Sequence, residues 1–251
     1  MTLVSVPAPD ADTDRTWSLL VAEAIGTFLF FFVGAGSVVA SQFATVNDAA
    51  GPGLVGVAFA HGLALAVLVS ALGAVSGAHF NPAVTFAVWL AGRISLVRGA
   101  LYVVAQLVGA ALSGFALTFV FDEQVWKAAA AGTPALGAGV TPVQAIVVEA
   151  VLTVVLVTAV FGTAIDRRAP KIGGLAIGLA VAGDILMGGP LTGGAMNPAR
   201  WFGPAVAAQA FDDWYVWWIG PLLGGAVAAL LYRMAFAERG RVEVTPATPE
   251  G

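Results

Sequence analysis

The chain contains no cysteine, which excludes a disulfide framework and any thiolate metal site. Charge is scarce: Asp, Glu, Lys and Arg make up 10% of the residues, against about 25% in a typical soluble domain. There are two histidines, so no metal cluster and no nucleophile–base–acid constellation is spelled out. Neither an enzyme nor a cofactor is expected. A formal net charge of −4, with no basic run outside short loops, excludes nucleic acid as an expected partner. Disorder is excluded as well, because 59% of the chain is hydrophobic. The 251 residues would allow one or two soluble domains. A water-soluble fold has nowhere to put this much apolar surface, however, and the mean hydropathy is +0.90. The class is therefore an all-α membrane protein, since a β-barrel would need alternating short strands.

What is present is a series of apolar runs of about 20 residues, the length that crosses a bilayer. Six qualify or nearly do: Trp17–Ala40, Gly53–Ala74, Gly99–Phe121, Val143–Ile165, Ile172–Met187 and Trp214–Phe236. The fifth is short, with its end obscured by Gly188, Gly189 and Pro190. Residues 1–16 lack the basic region and cleavage site of a signal peptide, so the first run is expected to be a retained span. The expected organisation is a tail over 1–16, a bundle over 17–237 and a polar tail over 238–251. With six spans both termini share a side. That side carries Arg15, Arg93, Arg98, Arg167, Arg168, Lys171, Arg233, Arg239 and Arg241, against Lys127 and Arg200 for the other. The bias places both termini in the cytoplasm. The short, acidic N-terminus fits a bacterial inner membrane.

Two apolar segments are too short to span: Asn81–Gly92 and Asn197–Ala208. They fall at matching places in two similar halves, about 17–121 and 143–237. Glu23-Ala-Ile-Gly-Thr27 recurs as Glu149-Ala-Val-Leu-Thr153, Ser76–Val84 (SGAHFNPAV) as Thr192–Arg200 (TGGAMNPAR), and Gln106-Leu-Val-Gly-Ala as Pro221-Leu-Leu-Gly-Gly. The order is kept at offsets of 126, 116 and 115 residues. Three spans per half is an odd number, so the second half inserts upside down. The expected fold has six transmembrane helices plus two half-helices in an inverted repeat.

Asparagine caps a helix and proline suits its first position, so Asn81-Pro82-Ala83 and Asn197-Pro198-Ala199 each begin a half-helix. Two such N-termini meeting at mid-membrane, each carrying roughly +0.5 of a charge, repel cations. A neutral dipole can still bond the Asn amides. The Gly-rich chain before each Asn (Gly77, Ala78 and His79; Gly193, Gly194 and Ala195) is expected to run extended and line the lumen with carbonyls.

These paired segments resemble the aquaporin (major intrinsic protein) family over about residues 17–236. The resemblance implies a homotetramer with a pore through each subunit and passive flow of water or small neutral solutes across the lipid bilayer. It makes Arg200 the arginine of the family's narrow filter, and by spacing from the two motifs it adds His61, Ile185 and Gly194. That set looks like plant tonoplast-type members that pass water and ammonia. Glycerol facilitators, the alternative, typically carry Asp after the arginine and a wider fifth-span position, where this chain has Trp201 and Ile185. Trp217 and Trp218 also resemble the water-channel side of the family. By the same resemblance Glu23 and Glu149 accept bonds from the loops that feed the half-helices, and His79 bonds within its loop. Trp201 and Asp184 depart from the family pattern. Asp184 is expected to bond the loop after the fifth span, or else to sit near the outer mouth and attract ammonium. A secondary active transporter, with Asp184 and Arg200 as its ion pair, and a membrane scaffold remain as further readings.

Overall fold

A computed structural model describes residues 13–166, 168, 170 and 172–236. The two tails, with Arg239 and Arg241, lie outside the described residues, as do Arg167 and Lys171. Every regular element among the described residues is helical: α1 (Thr13–Val46), α2 (Gly53–Ser76), α3 (Pro82–Leu90), α4 (Leu96–Val120), α5 (Glu123–Ala128), α6 (Pro142–Val160), α7 (Gly173–Thr192), α8 (Pro198–Ala208) and α9 (Val216–Leu231). A short 3-10 turn covers Ala130–Gly132, and wide π turns extend α6 through Phe161–Ile165 and α9 through Tyr232–Phe236.

Six of these helices are long and apolar enough to cross a membrane, and α3 and α8 are the two half-length pieces. The spans outrun the apolar runs at several ends. Hydropathy marks where lipid begins, whereas helical hydrogen bonding continues into the polar residues beyond it. Thus α1 starts at Thr13 and continues to Val46. The fifth span does not stop at Met187. Its helix runs through Pro190 to Thr192, and Gly193, left-handed at φ 80°, ends it. Pro190 forfeits only the bond its own N–H would have made in the last turn.

The packing repeats across the two halves. α1 lies on α2 and α4 as α6 lies on α7 and α9, while α4 carries α8 as α9 carries α3. The α2–α7 contact is the most extensive seam between the halves, beside those of α4 with α8 and α9 with α3. Here small residues allow backbones to meet: a Cβ on Gly62 would lie 2.6 Å from the Gly178 carbonyl oxygen and 2.8 Å from the Ala182 Cβ. Gly62→Val is therefore expected to force α2 from α7 and lower the melting temperature in detergent. Overpacking of this kind costs about 1–3 kcal/mol, and an unchanged melting temperature would refute the close packing. The outer faces are apolar, as Val67 and Leu63 on α2, Val104 and Phe119 on α4 and Val151 on α6 illustrate.

The ends are fixed by local chemistry. Ser95 caps α4 by accepting from the Arg98 N–H at 3.3 Å. Thr141 and Gln144 form a reciprocal box at the start of α6, with Pro142 in its first turn. At the bundle end where α1 begins, Asp166 accepts from the Arg168 backbone N–H (2.9 Å) and guanidinium (2.6 Å) and from the Tyr232 hydroxyl. These bonds, Arg168's foremost, hold the Asp166 carboxyl below the usual carboxylate range. The α6–α7 connection is thereby tied to the end of α9. At the opposite end Lys127 pairs with Glu123 one turn away on α5.

Candidate functional site

The two half-helices begin as their capping residues require. Asn81 (φ −156°) and Asn197 (φ −155°) are extended, each followed by proline in the first turn. Asn81 Oδ1 accepts from the Ala83 N–H at 2.8 Å, and Asn197 Oδ1 accepts from the Ala199 N–H at 2.9 Å. The amide ends reach across the repeat. Asn81 Nδ2 donates to the Met196 carbonyl and Asn197 Nδ2 to the Phe80 carbonyl, both at 2.9 Å. Each asparagine thus commits one amide hydrogen to the other half and keeps one.

The feeding chains are not extended. Gly77, Ala78 and Phe80 have φ of 92°, 51° and 49°, and their repeat-mates Gly193, Gly194 and Met196 have 80°, 57° and 53°. His79 and Ala195 stand between the left-handed positions. Such a zigzag turns successive N–H groups inward, and a buried carboxylate collects them in each half. Glu23 accepts from the Ser76 hydroxyl (2.6 Å), the His79 and Phe80 N–H groups (3.0 and 2.8 Å) and Gln106 Nε2 (2.8 Å). Glu149 accepts from the Thr192 hydroxyl (2.6 Å) and the Ala195 and Met196 N–H groups (2.9 and 2.6 Å). Both carboxylates are fully buried. A second tie also repeats: the Tyr102 hydroxyl donates to the Ser76 carbonyl at 2.8 Å, and the Trp217 indole to the Thr192 carbonyl at 3.0 Å. Tyr102, Ser76 and Thr192 carry no signal alone, and the repeat offset of 115–116 residues is what pairs them.

Of the four expected filter residues, His61 on α2 meets Arg200 in the first turn of α8, and Ile185 on α7 meets Gly194 in the chain that leads into α8. Arg200 Nε donates to His61 Nε2 at 2.9 Å, while His61 Nδ1 lies 2.8 Å from the Val57 carbonyl. Together these bonds require the neutral imidazole with its hydrogen on Nδ1. Arg200 Nη1 donates to the Gly132 carbonyl at 2.8 Å, from the turn after α5. That carbonyl went unread in the sequence, since a backbone oxygen in an irregular segment leaves no residue signature. Gly194 lies flat against Ile185: a Cβ there would be 3.2 Å from Ile185 Cα. Behind His61 stands Gly34, where a Cβ would fall 2.5 Å from the ring.

His79 approaches Thr85 Oγ1 through Nδ1 at 3.1 Å, a bond within its own re-entrant segment, and Gln106 donates to the same hydroxyl at 3.0 Å. Asp184 does not make the expected bond to the loop after the fifth span. It is buried on α7 with Oδ2 unpartnered. It faces inward because it shares a helix face with Val181 and Gly188, away from lipid-facing Leu186 and Met187. Trp201 is buried, its ring parallel to that of Trp217 with centroids 5.8 Å apart.

A family model described as "Major intrinsic protein" matches residues 10–232. Similar proteins include aquaporin TIP4-4 of Zea mays, 45% identical over 232 residues and covering 90% of either chain. Another is aquaporin TIP2-1 of Arabidopsis thaliana, 43% identical over 221 residues and covering 86% of either chain. Both are plant proteins, so the expectation of a bacterial inner membrane finds no support in them. The X-ray structure of the aquaglyceroporin from Plasmodium falciparum superposes with a TM-score of 0.75 at 22% identity, over 88% of this chain and 96% of that one. At that identity the likeness speaks for the fold alone.

Proposed function

This chain belongs to the major intrinsic protein family, whose aquaporin members are membrane channels and not enzymes, and from that premise we propose that it passes water, with ammonia as a second neutral solute, while excluding protons and ions. The carrying observation is the pair of opposed half-helix starts, joined by Asn81 and Asn197 through reciprocal 2.9 Å bonds. Two positive helix ends repel a cation there. The remaining amide hydrogen on each Asn can hold the oxygen of one water, so a water chain is broken in donor direction at that point. Proton relay needs an unbroken chain.

Arg200 adds a buried cation, and neutral His61 adds none beside it. Two of the five Arg200 donors are committed to His61 and Gly132, which leaves three for a passing solute. Ile185 and the bare Gly194 backbone form a less polar wall opposite, suited to ammonia. The pore-lining backbone is assigned to Gly77, Ala78, His79, Gly193 and Ala195, with Glu23 and Glu149 holding it in shape. The relatives named aquaporin favour water as the solute. The apolar outer faces suit burial in the bilayer or against further copies in a homotetramer, with both termini on the cytoplasmic side by the distribution of Lys and Arg.

Stopped-flow measurement on vesicles containing the protein tests this reading. Water flux should exceed that of protein-free vesicles, show a low activation energy and ignore a proton gradient. Ammonia should enter faster than through bare lipid, and glycerol should not. Absence of water flux overturns the channel assignment. Rapid glycerol entry replaces it with the glycerol-facilitator reading, and dependence on a proton gradient with the transporter reading.

A further inference from the structure

The two halves differ at one place where the repeat predicts likeness. In the first half Thr85, His79, Tyr102 and Gln106 form a polar cluster. His79 stands edge-on to Tyr102 with centroids 5.3 Å apart, and Thr85 takes bonds from Gln106 and approaches His79. The same offsets place Trp201, Ala195, Trp217 and Pro221 in the second half. There the bonds that meet on Thr85 have no counterpart at Trp201. The Trp201 and Trp217 rings lie 6° from parallel, Phe211 closes on Trp201 from the side at 6.3 Å, and Ala195 and Val216 complete an apolar packet. Trp201 Nε1 is buried without a partner. An orphaned buried N–H is costly, so a residue that carries one needs a reason to be there.

We propose that Trp201 is a positioning residue for the filter, setting solute selectivity through Trp217 and Thr192. The chain of contacts is short. Trp201 stacks on Trp217, whose indole holds the Thr192 carbonyl at 3.0 Å. The Thr192 hydroxyl in turn accepts from the Gly194 N–H at 3.2 Å while donating to Glu149. Gly194 is the filter wall against Ile185, and Arg200 is Trp201's own neighbour in the first turn of α8. The rings therefore brace the filter from both the Gly194 and the Arg200 sides. In the first half this brace is polar and serves no filter.

The inference rests on the channel reading, so its test uses water flux and selectivity together. Trp201→Ala is expected to raise the glycerol-to-water permeability ratio of vesicles about threefold or more, an ordinary coupling between touching residues. Trp201→Phe, which keeps a ring and removes the orphaned N–H, should restore most of the wild-type ratio. Trp217→Phe keeps the stack but loses the Thr192 bond, so it should shift the ratio in the direction of Trp201→Ala. It carries the test alone if Trp201→Ala does not reach the vesicle. Combining Trp201→Ala with Trp217→Phe should add little to either. A wild-type ratio in Trp201→Ala, or in Trp217→Phe where that variant carries the test, overturns the inference even if water flux is normal. A wild-type protein that passes no water overturns the channel reading as well.

Discussion

Glu149→Leu is expected to cost the protein its folded pore. The substitution recovers the desolvation of a buried carboxylate, which by itself favours folding. It also removes the acceptor of the Thr192 hydroxyl and the Ala195 and Met196 amides, which bond the carboxylate at 2.6–2.9 Å. Two of the three are backbone groups that no rotamer can redirect. The Thr192 hydroxyl can turn to the Gly188 carbonyl at 3.5 Å, but each buried amide left without a partner costs roughly 1–3 kcal/mol, so the two together cost about 2–6 kcal/mol. The upper end of that range matches the whole stability of some domains, about 5–15 kcal/mol. The stranded donors therefore outweigh the recovered desolvation, and the left-handed segment that Glu149 helps to gather loosens. Glu149→Gln keeps an acceptor oxygen and should fall between. Thermal unfolding in detergent and water flux in vesicles check this together. Wild-type values for Glu149→Leu in both would remove the carboxylate from its structural role.

His61→Trp is expected to abolish water flux while leaving an assembled protein. The imidazole is enclosed on its other sides: Val57 holds Nδ1, Arg200 holds Nε2, Phe30 stands edge-on, and Gly34 has no room for even a methyl group. By the proposed filter, added ring volume goes into the lumen that His61 shares with Ile185 and Gly194. Osmotic permeability should drop to that of protein-free vesicles. His61→Ala should do the reverse, freeing Arg200 Nε and widening the constriction enough to admit glycerol. Equal water flux in wild type and His61→Trp would place the constriction elsewhere.

These two expectations draw on unequal amounts of sequence information. The six spans are visible as apolar runs because the bilayer demands them, and the half-helices because Asn-Pro is capping chemistry at either N-terminus. Glu23 and Glu149 stand out because a carboxylate inside a span needs partners. Four of the seven donors they collect are backbone amides, whose identity no side chain records. The Gly132 carbonyl on Arg200 is hidden for the same reason, and so is the left-handed zigzag, which places Phe80 and Met196 in conformations that their side chains do not advertise. The end of α7 was obscured because Pro190 reads as a stop, yet near a helix terminus it forfeits one bond. Trp201 looks anomalous in isolation and becomes interpretable only beside Thr85, its mate in the other half.

The reciprocal grip of Asn81 and Asn197 also bears on how the molecule is made. A chain emerging N-terminus first can complete the bonds of Glu23 as soon as α4 has arrived, for all of its donors lie within the first half. Asn81 cannot be finished then. Its acceptor, the Met196 carbonyl, is 115 residues further along and is synthesised only after α7. Until that moment the first re-entrant piece stands in the bilayer with its amide open, and the acceptor that Asn197 will need, the Phe80 carbonyl, waits in the same place. The two halves are thus joined by a handshake late in biosynthesis, and a chain truncated before Met196 lacks both bonds of that grip.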